Sequence, residues 1–249
     1  MDSSALAVRV LSSLPRGLNS EGETVMALPE YERIAQSVRK PAPITSANIE
    51  TTEESAATGE VAALYEYFRT HFGRPDVPGI LKCFATHPPL LRHMMELSEG
   101  LIFADGYLSR KHKEMIATLV SSENQCPYCT DSHGYFLRVH GGCADALDAI
   151  VAENLDSSSL TAGEQALLSF ARKVNLDSHN INRKDVDLLM QREWSEPQGA
   201  EAVHVAALFS TYNRVANAFG LASQGLLSVC GAHTGEEQGV DLNLERTPQ

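Results

Sequence analysis

Long hydrophobic runs are missing from this sequence. No stretch approaches the roughly 18 uninterrupted apolar residues that a membrane helix needs. The apolar stretch at residues 5–14 is short and broken by Arg9, and Met1-Asp2-Ser3-Ser4 before it holds no basic residue, so the start does not read as a secretory signal. Positive charge is also scarce. Lys and Arg number 20 against 32 Asp and Glu, a formal net charge of -12. Such a chain repels a phosphate backbone or an anionic membrane surface, so no nucleic acid and no membrane are expected as partners. Cysteine is sparse and odd in number, with only Cys83, Cys126, Cys129, Cys143 and Cys230. That excludes a disulfide framework and points to a reducing, cytoplasmic setting, where a close pair is catalytic or metal-binding. Cys83, Cys143 and Cys230 are expected to act as small buried hydrophobes. No alternating strand pattern of useful length occurs.

What remains is helical signal. Within 249 residues, 43% hydrophobic and 21% charged, the expected class is all-α. Val61, Leu64, Tyr65 and Phe68 follow i, i+3, i+4, i+7 spacing, giving an amphipathic helix that stops near Gly73. Further helices are expected over 79–86, closed by Pro88-Pro89, and over 90–103, with Met94-Met95 as core packing. Another is expected over 110–120 behind the cap Ser109. A polar break at 121–125 leads to Cys126-Pro127, where proline suits a first helical position, and a helix from Pro127 to just before Gly141-Gly142. The patterns then predict helices over 144–153, 162–174 behind Thr161, 183–191 and 198–218. Residues 1–55 read as a partly irregular N-terminal extension with one short helix over 28–38, residues 56–228 as the helical domain, and 229–249 as a C-terminal tail.

Chemistry concentrates between Glu114 and His133. Cys126, Cys129 and His133 stand at i, i+3 and i+7, within about 60° of one another on a single helix face. Cys126 and Cys129 are one turn apart, close enough for a disulfide if the helix end relaxes. A sulfur at a helix N-terminus feels unpaired N–H groups and the positive end of the dipole, which favour thiolate, and Cys126 profits most. The imidazole one turn on can relay a proton. Glu114 would lie about 18 Å from Cys126 along an unbroken helix; it can join the site only if the chain reverses at 121–125. Glu123, in that turn, is expected to be solvated.

Glu114, eleven intervening residues, Cys126-Pro127-Tyr128-Cys129, three more and His133 resemble the signature of the AhpD alkylhydroperoxidase branch of the carboxymuconolactone decarboxylase superfamily, especially its peroxidase-related members. The resemblance runs from about residue 59 to 220 and includes Leu160-Thr161, Ala166-Leu167-Leu168 and Tyr212-Asn213-Arg214-Val215-Ala216-Asn217. It implies an AhpD-like helical bundle, with the CxxC opening a central helix, that packs as a homo-oligomer and needs no cofactor. It also implies roles. Cys129 attacks a small hydroperoxide and becomes a sulfenic acid. Cys126 first donates a proton, then closes the disulfide, while Glu114 and His133 form the proton relay. An external thiol reductant recycles the pair. The sequence departs from the best-described AhpD proteins in carrying Tyr128 where they have histidine. A phenol with a pKa near 10 cannot act as a base near neutrality, so Tyr128 is expected to hold a water or to pack.

Other readings stand beside this one. Cys126, Cys129, His133 and Glu114 could in principle ligate zinc, although no second knuckle exists in the sequence. Lactone decarboxylation, performed by other superfamily branches without the dithiol, is a second enzymatic alternative. A redox-sensing oligomer is a non-enzymatic one. Arg214 is expected in an ion pair, either in the site wall or structural. His140 reads as a helix C-terminal residue, and His87, His93, His112 and His204 as surface or interface residues.

Overall fold

The structure, a computed structural model, describes residues 48–228. The expected helix over 28–38, Cys230 and the tail 229–249 lie outside the described residues, as does most of the N-terminal extension. A 3-10 turn at Glu54–Ala56 precedes α1 (Gly59–Phe72), α2 (Gly79–Phe84) and α3 (Pro88–Ser98), whose last turn widens into a π-helix over Glu99–Phe103. Then follow α4 (Arg110–Glu123), α5 (Pro127–Val139), α6 (Ala144–Val151), α7 (Ala162–Asp177), α8 (Arg183–Met190) and α9 (Glu196–Phe219). The described residues contain no strand, and none of their helices is long and apolar enough to cross a membrane.

The predicted periodicities appear as buried faces. In α1 the buried set is Val61, Leu64, Tyr65, Phe68 and Phe72, and the helix ends on Gly73 in the left-handed region at φ 61°, where glycine carries no Cβ penalty. Ser109 accepts from the His112 N–H at the start of α4. Thr161 and Glu164 close a reciprocal capping box on α7. One helix boundary is corrected. Pro88-Pro89 do not close α2; they open α3, because a proline in the first turn lacks only an N–H that would have had no intrahelical partner.

The centre of the bundle is α4, which packs chiefly against α5 and α9. Every residue from Lys113 to Ser121 is buried, so its polar members need partners inside the protein. Lys113 Nζ donates to the carbonyls of Leu101 (2.8 Å) and Ala104 (3.0 Å) at the end of the π-helix. It also pairs with Glu201 of α9 at 2.9 Å, whose other oxygen accepts from the Leu108 N–H.

Two more corrections fall between α4 and α5. The helix runs through the expected polar break to Glu123, and only Asn124 and Gln125 make the reversal. Cys126 N–H donates to Ser121 O and Gln125 N–H to Ser122 O, both at 2.9 Å, with Gln125 at φ 51°. This is a Schellman ending with glutamine where glycine is usual. Glu123 is not solvated. Its side chain is almost fully buried, bonded to Arg172 Nε at 2.5 Å and to Asn175 Nδ2 at 3.0 Å. Cys143 departs from expectation too: it is exposed and caps α6, accepting from the Ala146 N–H at 3.4 Å. Cys83 is buried, as expected.

Candidate active site

The reversal at Asn124-Gln125 folds α5 back along α4 and so carries Glu114 to His133. Glu114 Oε2 lies 2.7 Å from His133 Nδ1, and its Oε1 accepts from Arg110 Nε at 2.6 Å. The carboxyl is completely buried. Burial alone would raise its pKa, but the charges and hydrogen bonds of His133 and Arg110 outweigh burial and hold it below the usual carboxylate range. An ionised carboxylate only accepts, so His133 carries its hydrogen on Nδ1 and keeps Nε2 for proton exchange. The edge of this imidazole meets the Phe209 ring of α9, with centroids 4.4 Å apart.

Cys126 is the N-cap of α5 and Cys129 stands one turn inside it; both are buried, free thiols hydrogen-bonded to each other. The bond from Cys129 pulls Cys126 down to about 7 against the effect of burial, helped by the N–H groups of Cys129 and Tyr128 and by the Asn213 amide. Cys129 is pushed up by the same shared proton and by burial. Above about pH 7 the pair therefore holds one proton, on Cys129. Helix-end electrostatics point to Cys126 as the more acidic sulfur, and the hydrogen bond from Cys129 one turn on strengthens that order.

Access runs the other way. Cys129 and His133 line a cavity enclosing about 130 Å³, and Cys126 does not reach its wall. Phe68, Phe72, Ile80 and Met95 make much of that wall apolar. Tyr128 also lines it, with its hydroxyl fixed by the Ile80 N–H at 3.3 Å and its pKa raised by burial. This phenol packs and is no base.

Asn213 is the site residue that sequence reasoning missed. It is fully buried on α9, its amide 2.9 Å from Ser121 Oγ, 3.0 Å from Asn124 Nδ2 and in reach of both sulfurs. The signal lay in the Tyr212-Asn213-Arg214 segment, where Arg214 drew the attention. Among the described residues Arg214 makes neither expected ion pair; it is exposed and donates to Ser210 O at 2.6 Å. Among the described residues no three His, Cys, Asp or Glu side chains converge as a metal site, and Glu114 commits its oxygens to Arg110 and His133.

Residues 88–173 match the carboxymuconolactone decarboxylase family. The fold agrees with an uncharacterised peroxidase-related protein with an alkylhydroperoxidase AhpD core from Ralstonia eutropha JMP134, at 26% identity and TM-score 0.65, covering 73% of this chain and 93% of that one. The family match and this likeness support the AhpD/carboxymuconolactone decarboxylase superfamily. A second structure, an uncharacterised peroxidase-related protein from Silicibacter sp. TM1040, is also 26% identical, with TM-score 0.63 over 73% of this chain and 93% of that one. The debrominase Bmp8, solved with 2,3,4-tribromopyrrole, shares the fold at 16% identity and TM-score 0.61, covering 76% of this chain and 98% of that one. None of the curated protein sequences compared with the chain matches it. AhpD-like and carboxymuconolactone decarboxylase proteins are in general enzymes, with peroxidase-related or lactone chemistry.

Proposed function

We propose that this protein is a thiol-dependent peroxidase that reduces small organic hydroperoxides through a Cys126–Cys129 dithiol/disulfide cycle. The observation that carries the reading is the position of Cys129. It lies on a cavity wall together with His133, which is anchored to a buried, ionised Glu114, while Cys126 beside it takes up the proton that Cys129 must lose.

The steps balance. Cys126 thiolate accepts the Cys129 proton, and the Cys129 thiolate attacks the terminal peroxide oxygen. The O–O bond breaks, leaving Cys129 sulfenic acid and an alkoxide that takes the proton from Cys126 to leave as the alcohol. Cys126 thiolate then attacks the sulfenic sulfur; the S–S bond forms and hydroxide leaves as water, taking a solvent proton relayed through His133 Nε2. The sum is Cys126 thiolate, Cys129 thiol, hydroperoxide and one proton giving disulfide, alcohol and water. An external thiol, in a reducing cytoplasmic compartment, returns the two electrons. In this reading Glu114 orients His133 and steadies the imidazolium while it carries that proton. Residues 56–228 form the working domain, and the protein acts as a homo-oligomer, a state that sedimentation measures directly.

The test is stoichiometric loss of an alkyl hydroperoxide on mixing with the reduced protein, with mass spectrometry of the Cys126–Cys129 peptide. The expected result is one disulfide per peroxide consumed and loss of consumption in Cys129→Ser. Unchanged consumption by that variant refutes the reading.

A further inference from the structure

Arg74 has no part in the chemistry above, yet it is only 6% exposed and lines the same cavity as Cys129 and His133. A buried guanidinium needs partners for its fork of N–H donors, because an uncompensated charge away from water is costly. Arg74 has few. Nη2 reaches Asp76 at a long 3.3 Å, on a carboxylate that is itself partly in solvent, and the cation stands 6.0 Å from the Phe68 ring centroid. Nε is buried and has no partner among the described residues. The positive charge is felt at Tyr128, the residue next to Cys129.

The other charged group on the wall, Glu99, is already occupied. It accepts from Tyr67 Oη at 3.2 Å and faces His71 Nε2 at 3.3 Å, which holds its carboxyl below the usual range. The cavity thus offers apolar and aromatic walls, a reactive sulfur and one cation with donors to spare. Its size, about 130 Å³, is close to that of the roughly 150 Å³ apolar cavity that accommodates benzene.

We infer that Arg74 is a substrate-binding residue and that the cavity takes an apolar or aromatic organic hydroperoxide bearing a carboxylate, with the carboxylate on the Arg74 guanidinium and the peroxide toward Cys129. A planar carboxylate matches the guanidinium fork in two parallel hydrogen bonds, which a neutral group of the same shape cannot supply. The substrate class rests on the peroxidase reading; binding of the carboxylate does not.

The experiment has two arms. Calorimetry compares para-isopropylbenzoate with the neutral para-isopropylbenzamide on the reduced full chain. At least tenfold tighter binding of the carboxylate is expected, falling to parity in Arg74→Gln. Equal affinity in the wild-type protein, or a preference that survives Arg74→Gln, overturns the inference. The wild-type comparison decides even if the variant fails to fold, and Arg74→Lys, which keeps the charge without the fork, is expected to retain only part of the preference. In the second arm, dithiol oxidation by cumene hydroperoxide is compared with oxidation by its para-carboxy derivative. A lower KM for the carboxylated peroxide with similar kcat, lost in Arg74→Gln, supports the assignment; equal KM values overturn it as a substrate site. If neither peroxide oxidises the dithiol, the peroxidase reading and the substrate class fail together, and calorimetry alone decides whether Arg74 binds a carboxylate.

Discussion

Two sulfurs of the same element and nearly the same burial differ because of what surrounds each. Cys126 sits where the first N–H groups of α5 converge and receives the Cys129 S–H, so it ionises near 7; Cys129 keeps the proton but faces the cavity. The acidic sulfur and the accessible sulfur are thus different residues, which is why the proposed cycle begins with a proton passing between them. A pH dependence follows from the lowered value. Below it Cys126 is protonated and cannot take the Cys129 proton; above it the monoanion is fully formed. The second-order rate of dithiol oxidation is expected to rise through about pH 7 and then level off, in step with the thiolate ultraviolet absorbance. A rate flat between about pH 6 and 8 contradicts the assignment of that thiolate to the reaction.

At the scale of elements, the α4–α5 hairpin makes the site. Its reversal uses only Asn124 and Gln125, and Gln125 stands in the left-handed region, which costs a non-glycine residue about 1–2 kcal/mol. The side chain is exposed. Gln125→Gly is therefore expected to raise the unfolding free energy by up to about 1 kcal/mol, less than the full relief because glycine loses more entropy on folding. Urea denaturation of the reduced protein measures it, and a destabilised variant refutes the account of the turn. Strain held one residue before Cys126 is the kind of feature that fixes a reactive side chain in place.

At the scale of the whole molecule, α9 ties the site to the rest of the bundle. Phe209, 1% exposed, packs against His133 and, with centroids 5.9 Å apart, against Tyr212; Asn213, four residues on from Phe209, borders the sulfurs. Phe209→Ala removes a buried ring from the point where α9 meets α5, and the expected loss is about 3–5 kcal/mol. Thermal and urea unfolding test this; a loss below about 1 kcal/mol would mean that the site is held by the hairpin alone.

The fold was largely legible before any coordinates. Periodicity, the Ser109 and Thr161 caps and the Gly73 and Gly141 endings are local signals, and local hydrogen-bonding rules read them. The cysteine pair and its helix-end position were legible for the same reason, since four consecutive residues, one of them proline, define them. Where the local signal was ambiguous, as at Pro88-Pro89 and at 121–125, the boundaries slipped. The burial of Glu123 on Arg172, the contact of Asn213 with the sulfurs and the under-satisfied Arg74 in the cavity wall join residues dozens of positions apart. Sequence spacing cannot encode such meetings; only the packing of one helix on another decides which polar groups leave water together and which of them find a partner.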